Sequence, residues 1–162
     1  MTLKQKIEDD AKKALREHEG DLLSTLRMLL AAVRNREIEK RTKLSKRGGT
    51  ENLEKESQLT DEEMVETIRT EAKKRKDAIE GYEKGGRQEA AEREKRELVM
   101  LQSYLPEEMS DEELEKIVGE VVGGLGEVTQ KDFGRVMGEI MKRAKGQASG
   151  DRVSRVVKKV LG

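Results

Sequence analysis

Apolar side chains recur every three or four residues along most of the chain, which is the spacing of amphipathic helices. The pattern is clearest over residues 21–47, where a leucine-rich first half precedes a strongly basic second half. One long helix over this range would begin buried and end solvated. The apolar positions of its first half are Leu22, Leu26, Leu29, Leu30 and Val33.

Capping residues predict where the first helices begin and end. Thr2 is a suitable N-cap for a helix that we expect Gly20 to end. His18, in the predicted last turn, is interpreted as a capping or surface residue. After the long helix, the polar run from Gly48 through Gly49 and Thr50 to Gln58 predicts a mobile loop.

The next two helices form a predicted hairpin. Thr60 and Glu63 have the spacing of a capping box, and a hydrophobic staple flanks them. The helix that follows carries an apolar stripe with predicted outward pairs Glu71–Arg75 and Glu80–Lys84. Residues 84–87 are the turn, and Pro106 ends the return helix. These four helices predict an N-terminal domain over 1–105, with a coiled coil for the third helix as the alternative.

A second run of helix signals follows Pro106. Ser110 and Glu113 repeat the capping-box spacing, and three short apolar stripes follow. The sequence therefore predicts an all-α protein whose second domain, 106–162, is a three-helix bundle. Gly134 and Gly138, four residues apart, are interpreted as a site where a neighbouring backbone approaches closely.

Composition excludes several classes of function. The chain has 34 basic and 34 acidic residues, no cysteine, one histidine and three aromatic residues. Disulfides, thiolate metal sites and cysteine nucleophiles are therefore excluded, and base stacking on clustered aromatic residues is not expected. The sequence shows no P-loop, dinucleotide fingerprint or metal-ligand spacing, so we predict no catalytic residue, metal or cofactor. Lacking a membrane-length apolar run, it predicts a cytoplasmic protein without a membrane partner.

Charge is segregated within the second domain. Residues 107–127 carry eight acidic and one basic residue, whereas residues 128–162 carry nine basic and three acidic residues. A basic face of this kind could neutralise phosphates, although basic residues near helix C-termini also serve simply as solvated surface. The predicted nucleic-acid contacts are Lys142, Lys145, Gly146, Arg152, Arg155 and Lys159, extended by Arg36, Lys40 and Lys43.

The segment from Lys145 to Gly150 has two interpretations. Gly146 suits a left-handed helix end and Ser149 suits an N-cap, so a tight turn accounts for the sequence. Exposed amides at the start of the last helix, beside Lys145 and Arg152, would equally suit a phosphate.

Four segments together resemble the YqeY-like proteins of the GatB/YqeY family: STLRMLLAAVRNREIEKR, EAKKRKDAIEGYEKGGR, YLPEEMSDEEL and DFGRVMGEIMKRAKGQASGDRVSRVVKKVL. The resemblance implies a helical N-terminal domain and a small helical C-terminal domain similar to the tRNA-contacting tail of the tRNA-dependent amidotransferase B subunit. Ser149-Gly150 stands where that tail usually has Asn-Pro. The matching residues are Gly134, Val136, Met137, Gly138, Lys145, Gly146, Ala148 and Val153.

The leading functional hypothesis is a non-catalytic module that binds tRNA or another structured RNA. One alternative is an accessory role in glutamine-dependent amidation of misacylated tRNA. A carbon–nitrogen ligase label would rest on the tail alone, because nothing matches the amidotransferase catalytic domain. The other alternative is a protein–protein adaptor that docks its acidic helix onto an amidotransferase or aminoacyl-tRNA synthetase.

Overall fold

The computed structural model describes residues 1–48 and 51–162, and every regular element within them is helical. The predicted all-α class is confirmed. Contacts divide the chain into two compact units, unit 1 from Met1 to Leu105 and unit 2 from Pro106 to Gly162. Whether each unit folds independently stays a prediction. None of the described helices is both long and apolar enough to cross a bilayer.

Unit 1 is built from two antiparallel helix pairs and one short helix. Helix α1 packs on α2, and α4 packs on α5. Its core combines residues from four of the helices, including Ile7, Leu29, Ile68 and Leu101. The bounds are α1 Leu3–Arg16, α2 Gly20–Arg47, α3 Leu53–Glu56, α4 Asp61–Lys84 and α5 Gln88–Gln102.

Both predicted N-caps of unit 1 are present, but the first helix ends differently from the prediction. Thr2 and Thr60 each accept a hydrogen bond from the third residue of their helix. His18, and not Gly20, adopts the left-handed conformation, with φ of 59°. The amide of Glu19 then donates to the carbonyl of Ala14 at 2.9 Å, which closes the helix end. Because His18 adopts the left-handed conformation at this end, Gly20 is the first residue of α2.

The predicted loop after α2 contains one turn of helix that the sequence did not predict, and the described residues on either side of it are non-helical. Asn52 caps the one-turn helix α3, and the next residue after the helix, Ser57, is buried. The Nε of Arg41 donates to Ser57 Oγ at 3.3 Å, which connects this turn to α2. Gly49 and Thr50 lie outside the described residues.

A buried ionic cluster joins α4 to α5. The predicted outward Glu71–Arg75 pair is wrong, because both residues are only 8% exposed. Glu71 accepts from Lys74 at 2.7 Å, while Arg75 Nε lies 2.9 Å from Glu97 and 3.4 Å from Glu94. Helix α5 packs on this face and supplies carboxylates that no short-range rule predicts. The exposed pair Glu80–Lys84 forms as predicted, at 2.6 Å.

Unit 2 is a three-helix bundle around a valine-rich core. The described residues form α6 Asp111–Gly124, a 3-10 turn Gln130–Asp132, α7 Phe133–Ala144 and α8 Gly150–Leu161. The predicted close approach at Gly134 and Gly138 is wrong, because a Cβ at either position would meet no atom within 4 Å. The fully buried core includes Leu114, Val118, Val136, Ile140, Val153 and Val157.

Candidate nucleic-acid interface

Arg152 is half-buried and is held by contacts within unit 2. Its Nη2 donates to Asp111 Oδ1 at 2.6 Å and to the carbonyl of Met109 at 2.9 Å. Its Nη1 lies 3.5 Å from Glu108, and its side chain is only 20% exposed. Arg152 therefore ties the segment that leads into α6 to the first turn of α8. A guanidinium with three protein partners has little capacity left for a phosphate.

The other basic residues of α7 and α8 meet carboxylates at the surface. Lys159 lies 3.1 Å from Glu115, and Arg143 lies 3.3 Å from Glu120, so both reach the acidic helix α6. Lys142 lies 3.4 Å from Glu139 on its own helix. The charge segregation along the sequence therefore becomes charge complementarity within unit 2. Exposed pairs of this kind contribute little to stability.

The turn between α7 and α8 is explained by its backbone. Lys145 and Gly146 are both left-handed, with φ of 46° and 77°. The amide of Gln147 donates to the carbonyl of Ala144 at 2.8 Å, and Ser149 Oγ caps α8 through the amide of Arg152. Gly146 is buried, whereas the Lys145 side chain is exposed. The predicted cap residues are confirmed, and the phosphate interpretation stays a prediction.

Two further basic residues of α8 lie at the surface of unit 2. Arg155 and Lys158 are exposed, and the described residues supply neither with an ion-pair partner. Arg155 lies on the side of α8 opposite the buried Val153 and Val157, and Lys158 lies at the edge of that side, where it lines a pocket with Phe133 and Leu161. Lys158 was not among the predicted contacts, although its i+3 spacing from Arg155 was a signal that could have included it.

In unit 1, two of the three predicted contacts are engaged with α4. Arg36 Nη1 donates to Thr67 Oγ1 at 2.8 Å. Lys40 Nζ donates to Glu63 Oε2 at 2.7 Å and to the carbonyl of Gln58 at 3.0 Å. Lys43 is exposed, without an ion-pair partner among the residues that the structure describes. Arg36 and Lys40 thus attach the basic second half of α2 to α4.

Glu63 is the acceptor that both Lys40 and the start of α4 depend on. Burial opposes ionisation of this carboxyl, but hydrogen bonds from Lys40 and from the amide of Thr60 outweigh it, so the pKa of Glu63 is lowered. The carboxylate therefore stabilises the folded state above the ordinary glutamate pKa of about 4.3. This contribution is lost as the pH falls through the lower, folded-state pKa.

Glu63→Gln should therefore destabilise unit 1 at neutral pH and have a vanishing effect in acid. Urea unfolding of the variant and the parent, followed from about pH 7 to below the folded-state pKa, measures this difference. Glu62→Gln, which removes a carboxylate from the same helical turn, is the matched control. A difference between Glu63→Gln and the parent that stays constant with pH would contradict the prediction.

No group of three or more His, Cys, Asp or Glu residues in the described ranges is arranged to hold a metal ion. The arrangement that the structure does present is a basic surface on unit 2, partly paired with its own carboxylates. Such a surface can bind an anion by direct charge contacts.

Comparisons with known proteins cover almost the whole chain. The family model described as "Yqey-like protein" matches residues 4–161. The chain is also 27% identical over 160 residues to "Altered inheritance of mitochondria protein 41, mitochondrial" of Pyrenophora tritici-repentis. That alignment covers 97% of this chain and 80% of the fungal protein. The fungal name assigns that protein to mitochondria, and a cytoplasmic location for the present chain stays a prediction.

Proposed function

The chain belongs to the YqeY-like family, and from that premise we propose that it is a non-catalytic helical module that binds tRNA or another structured RNA through phosphate contacts. The observation that carries the proposal is a pair of exposed cations on α8, Arg155 and Lys158, which have no ion-pair partner within 1–48 and 51–162, with Lys145 at the turn before α8. We call Lys142, Lys145, Arg155, Lys158 and Lys159 the cationic set.

The ion pairs of Lys142 and Lys159 are compatible with phosphate binding. Their side chains are 78% and 73% exposed, so each pair is solvated and weak. A phosphate backbone offers several negative charges in a row, and binding it releases counterions. The proposal therefore keeps both lysines in the contact set.

Four of the predicted contacts have structural roles in this proposal. Arg152 attaches the segment before α6, while Arg36 and Lys40 attach α2 to α4. Gly146 shapes the turn that presents Lys145. Lys43 remains a candidate contact of unit 1, separate from the cationic set.

The shortage of aromatic residues restricts how RNA would be recognised. The chain has two tyrosines, one phenylalanine and no tryptophan. Stacking of unpaired bases on aromatic side chains is therefore a minor contribution at most, and phosphate position and helix shape dominate. A folded RNA with closely spaced phosphates fits this surface better than an unstructured strand.

The test is binding of purified tRNA to the full chain across a salt series. The logarithm of the binding constant should fall linearly with the logarithm of the salt concentration. The double variant Lys145→Ala/Arg155→Ala should bind more weakly, with a slope that is smaller by about one for each cation removed. Fluorescence anisotropy of labelled tRNA measures both quantities.

Arg93→Ala/Arg96→Ala is the matched control, because it also removes two exposed cations but from α5 of unit 1. The tRNA affinity of this control variant, and the salt dependence of that affinity, should stay close to those of the parent. No binding at low salt, or equal losses in the two double variants, would refute the proposal. A protein partner that stays bound after ribonuclease treatment, with no tRNA binding, would instead favour the adaptor alternative. Transamidation that requires the added chain would favour the amidation alternative.

A further inference from the structure

Helix α2 has an outer face that unit 1 leaves uncovered. The side of α2 that packs into the core carries Thr25, Leu26, Leu29 and Val33. Helical spacing places a second row on the opposite side, where no described helix of unit 1 buries it. We call this row the α2 outer face; its main residues are Arg27, Met28, Ala31, Arg34 and Ile38, with Leu23, which also packs partly against the core, at its edge.

The α2 outer face carries large apolar side chains that are exposed. Met28 is 49% exposed and Ile38 is 55% exposed. Leu23, Met28 and Ala31 line a shallow groove together with small residues of the same helix. The Sδ of Met28 accepts a hydrogen bond from Arg75 Nη2 at 3.7 Å. This contact with α4 restrains the exposed side chain of Met28.

The same face is positively charged and lacks carboxylates. Residues 22–36 include three arginines but no aspartate or glutamate, although 34 of the 162 residues of the chain are acidic. Arg27 and Arg34 are exposed, and the described part of the chain gives neither of them an ion-pair partner. On α4 and α5 several exposed charges are paired within the same helix, as in Glu80–Lys84 and Glu92–Lys95.

We propose that the α2 outer face docks an acidic amphipathic helix of a partner protein. The small side chains of the groove let a second helix approach closely, and Leu23, Met28 and Ile38 offer apolar contacts. Arg27 and Arg34 are seven residues apart, which is about 10.5 Å along the helix. The partner helix therefore carries carboxylates two turns apart beside its apolar stripe.

Two other occupants fit this face less well. In a symmetric dimer the same surface would meet itself, which brings unpaired arginines together without carboxylates to neutralise them. An RNA backbone would satisfy the arginines but would leave Met28 and Ile38 against phosphates and water. An acidic amphipathic helix satisfies both the apolar and the charged residues.

The test uses two synthetic peptides of about 18 residues that form amphipathic helices. One carries a leucine and alanine stripe flanked by glutamates at two-turn spacing, and the other has lysines in place of those glutamates. Because the chain has no cysteine, Ala31→Cys allows one fluorophore to be attached on the face, and Lys84→Cys gives a control label elsewhere in unit 1.

The glutamate peptide should bind at least about tenfold more tightly than the lysine peptide. Its binding should change the fluorescence of the label at position 31 but not that of the label at position 84. Arg27→Glu/Arg34→Glu should reverse this preference and leave tRNA binding unchanged, which separates this inference from the proposed function of unit 2. Equal binding of the two peptides to the parent chain would overturn the inference, and so would an unchanged peptide preference in Arg27→Glu/Arg34→Glu. A dimer of the parent chain that this variant abolishes would also overturn it, because the face would then bind a second copy. Loss of tRNA binding in the reversal variant would also overturn it.

Discussion

Arg75→Met should lower the free energy of unfolding of unit 1 by about 3–5 kcal/mol, the range for breaking a buried ion pair from one side. Arg75 is 8% exposed, and the side chains of Glu94 and Glu97 are 19% and 17% exposed. Methionine has a similar length but no positive charge. The substitution therefore leaves these carboxylates close together, poorly hydrated and without their cation.

Tyrosine fluorescence during urea unfolding measures this effect selectively, because both tyrosines, Tyr82 and Tyr104, belong to unit 1. Lys84→Ala, which removes a solvated ion pair, should leave the midpoint almost unchanged. Adding Glu94→Gln and Glu97→Gln to Arg75→Met should restore much of the loss, because the uncompensated charges are removed. A loss below about 1 kcal/mol for Arg75→Met would contradict the expected role of the cluster.

Ile140→Ala should largely unfold unit 2 while unit 1 stays folded. Ile140 is fully buried between the three helices, and truncation of such a residue typically costs about 2–5 kcal/mol. A domain as small as residues 106–162 has only a few kcal/mol of stability to lose. Hydrogen exchange of peptides from residues 111–161 should therefore become fast in the variant.

Val160→Ala is the matched control, because Val160 lies near the end of α8 and is 45% exposed. Its exchange should stay close to that of the parent, since little apolar surface leaves the core. Slow exchange throughout unit 2 in Ile140→Ala would mean that the bundle has more stability than its size indicates. Fast exchange in unit 1 as well would show that the two units unfold together.

The parts of the fold that the sequence predicts well are determined by neighbouring residues. The capping boxes at Thr60 and Ser110 form with the predicted partners, because donor and acceptor are three residues apart. The apolar stripes predict most of the buried residues for the same reason, but Leu15 and Val160, near helix ends, are 53% and 45% exposed. The buried cluster at Arg75 depends on α5, which is about twenty residues away in sequence, so a pair rule limited to one helix gave the wrong partner.

The candidate site shows the same division between local and long-range information. Counting charges predicts that α7 and α8 are basic, which is correct. It does not predict that Asp111 and Glu115 of α6 lie opposite Arg152 and Lys159. The i+3 spacing of Lys158 from Arg155 is visible in the sequence, but the exposure of Lys158 follows from how α8 packs in the bundle.

The contacts of Arg152 also define where the C-terminal fold begins. The amide of Met109 donates to the carbonyl of Gln147 at 2.8 Å, and its own carbonyl accepts from Arg152. Met109 is almost fully buried, although it precedes the first helix of the bundle. A polypeptide that begins at Asp111 would retain all three helices of unit 2 but lose both backbone hydrogen bonds of Met109. The shortest sequence that folds into this bundle therefore starts before its first helical residue.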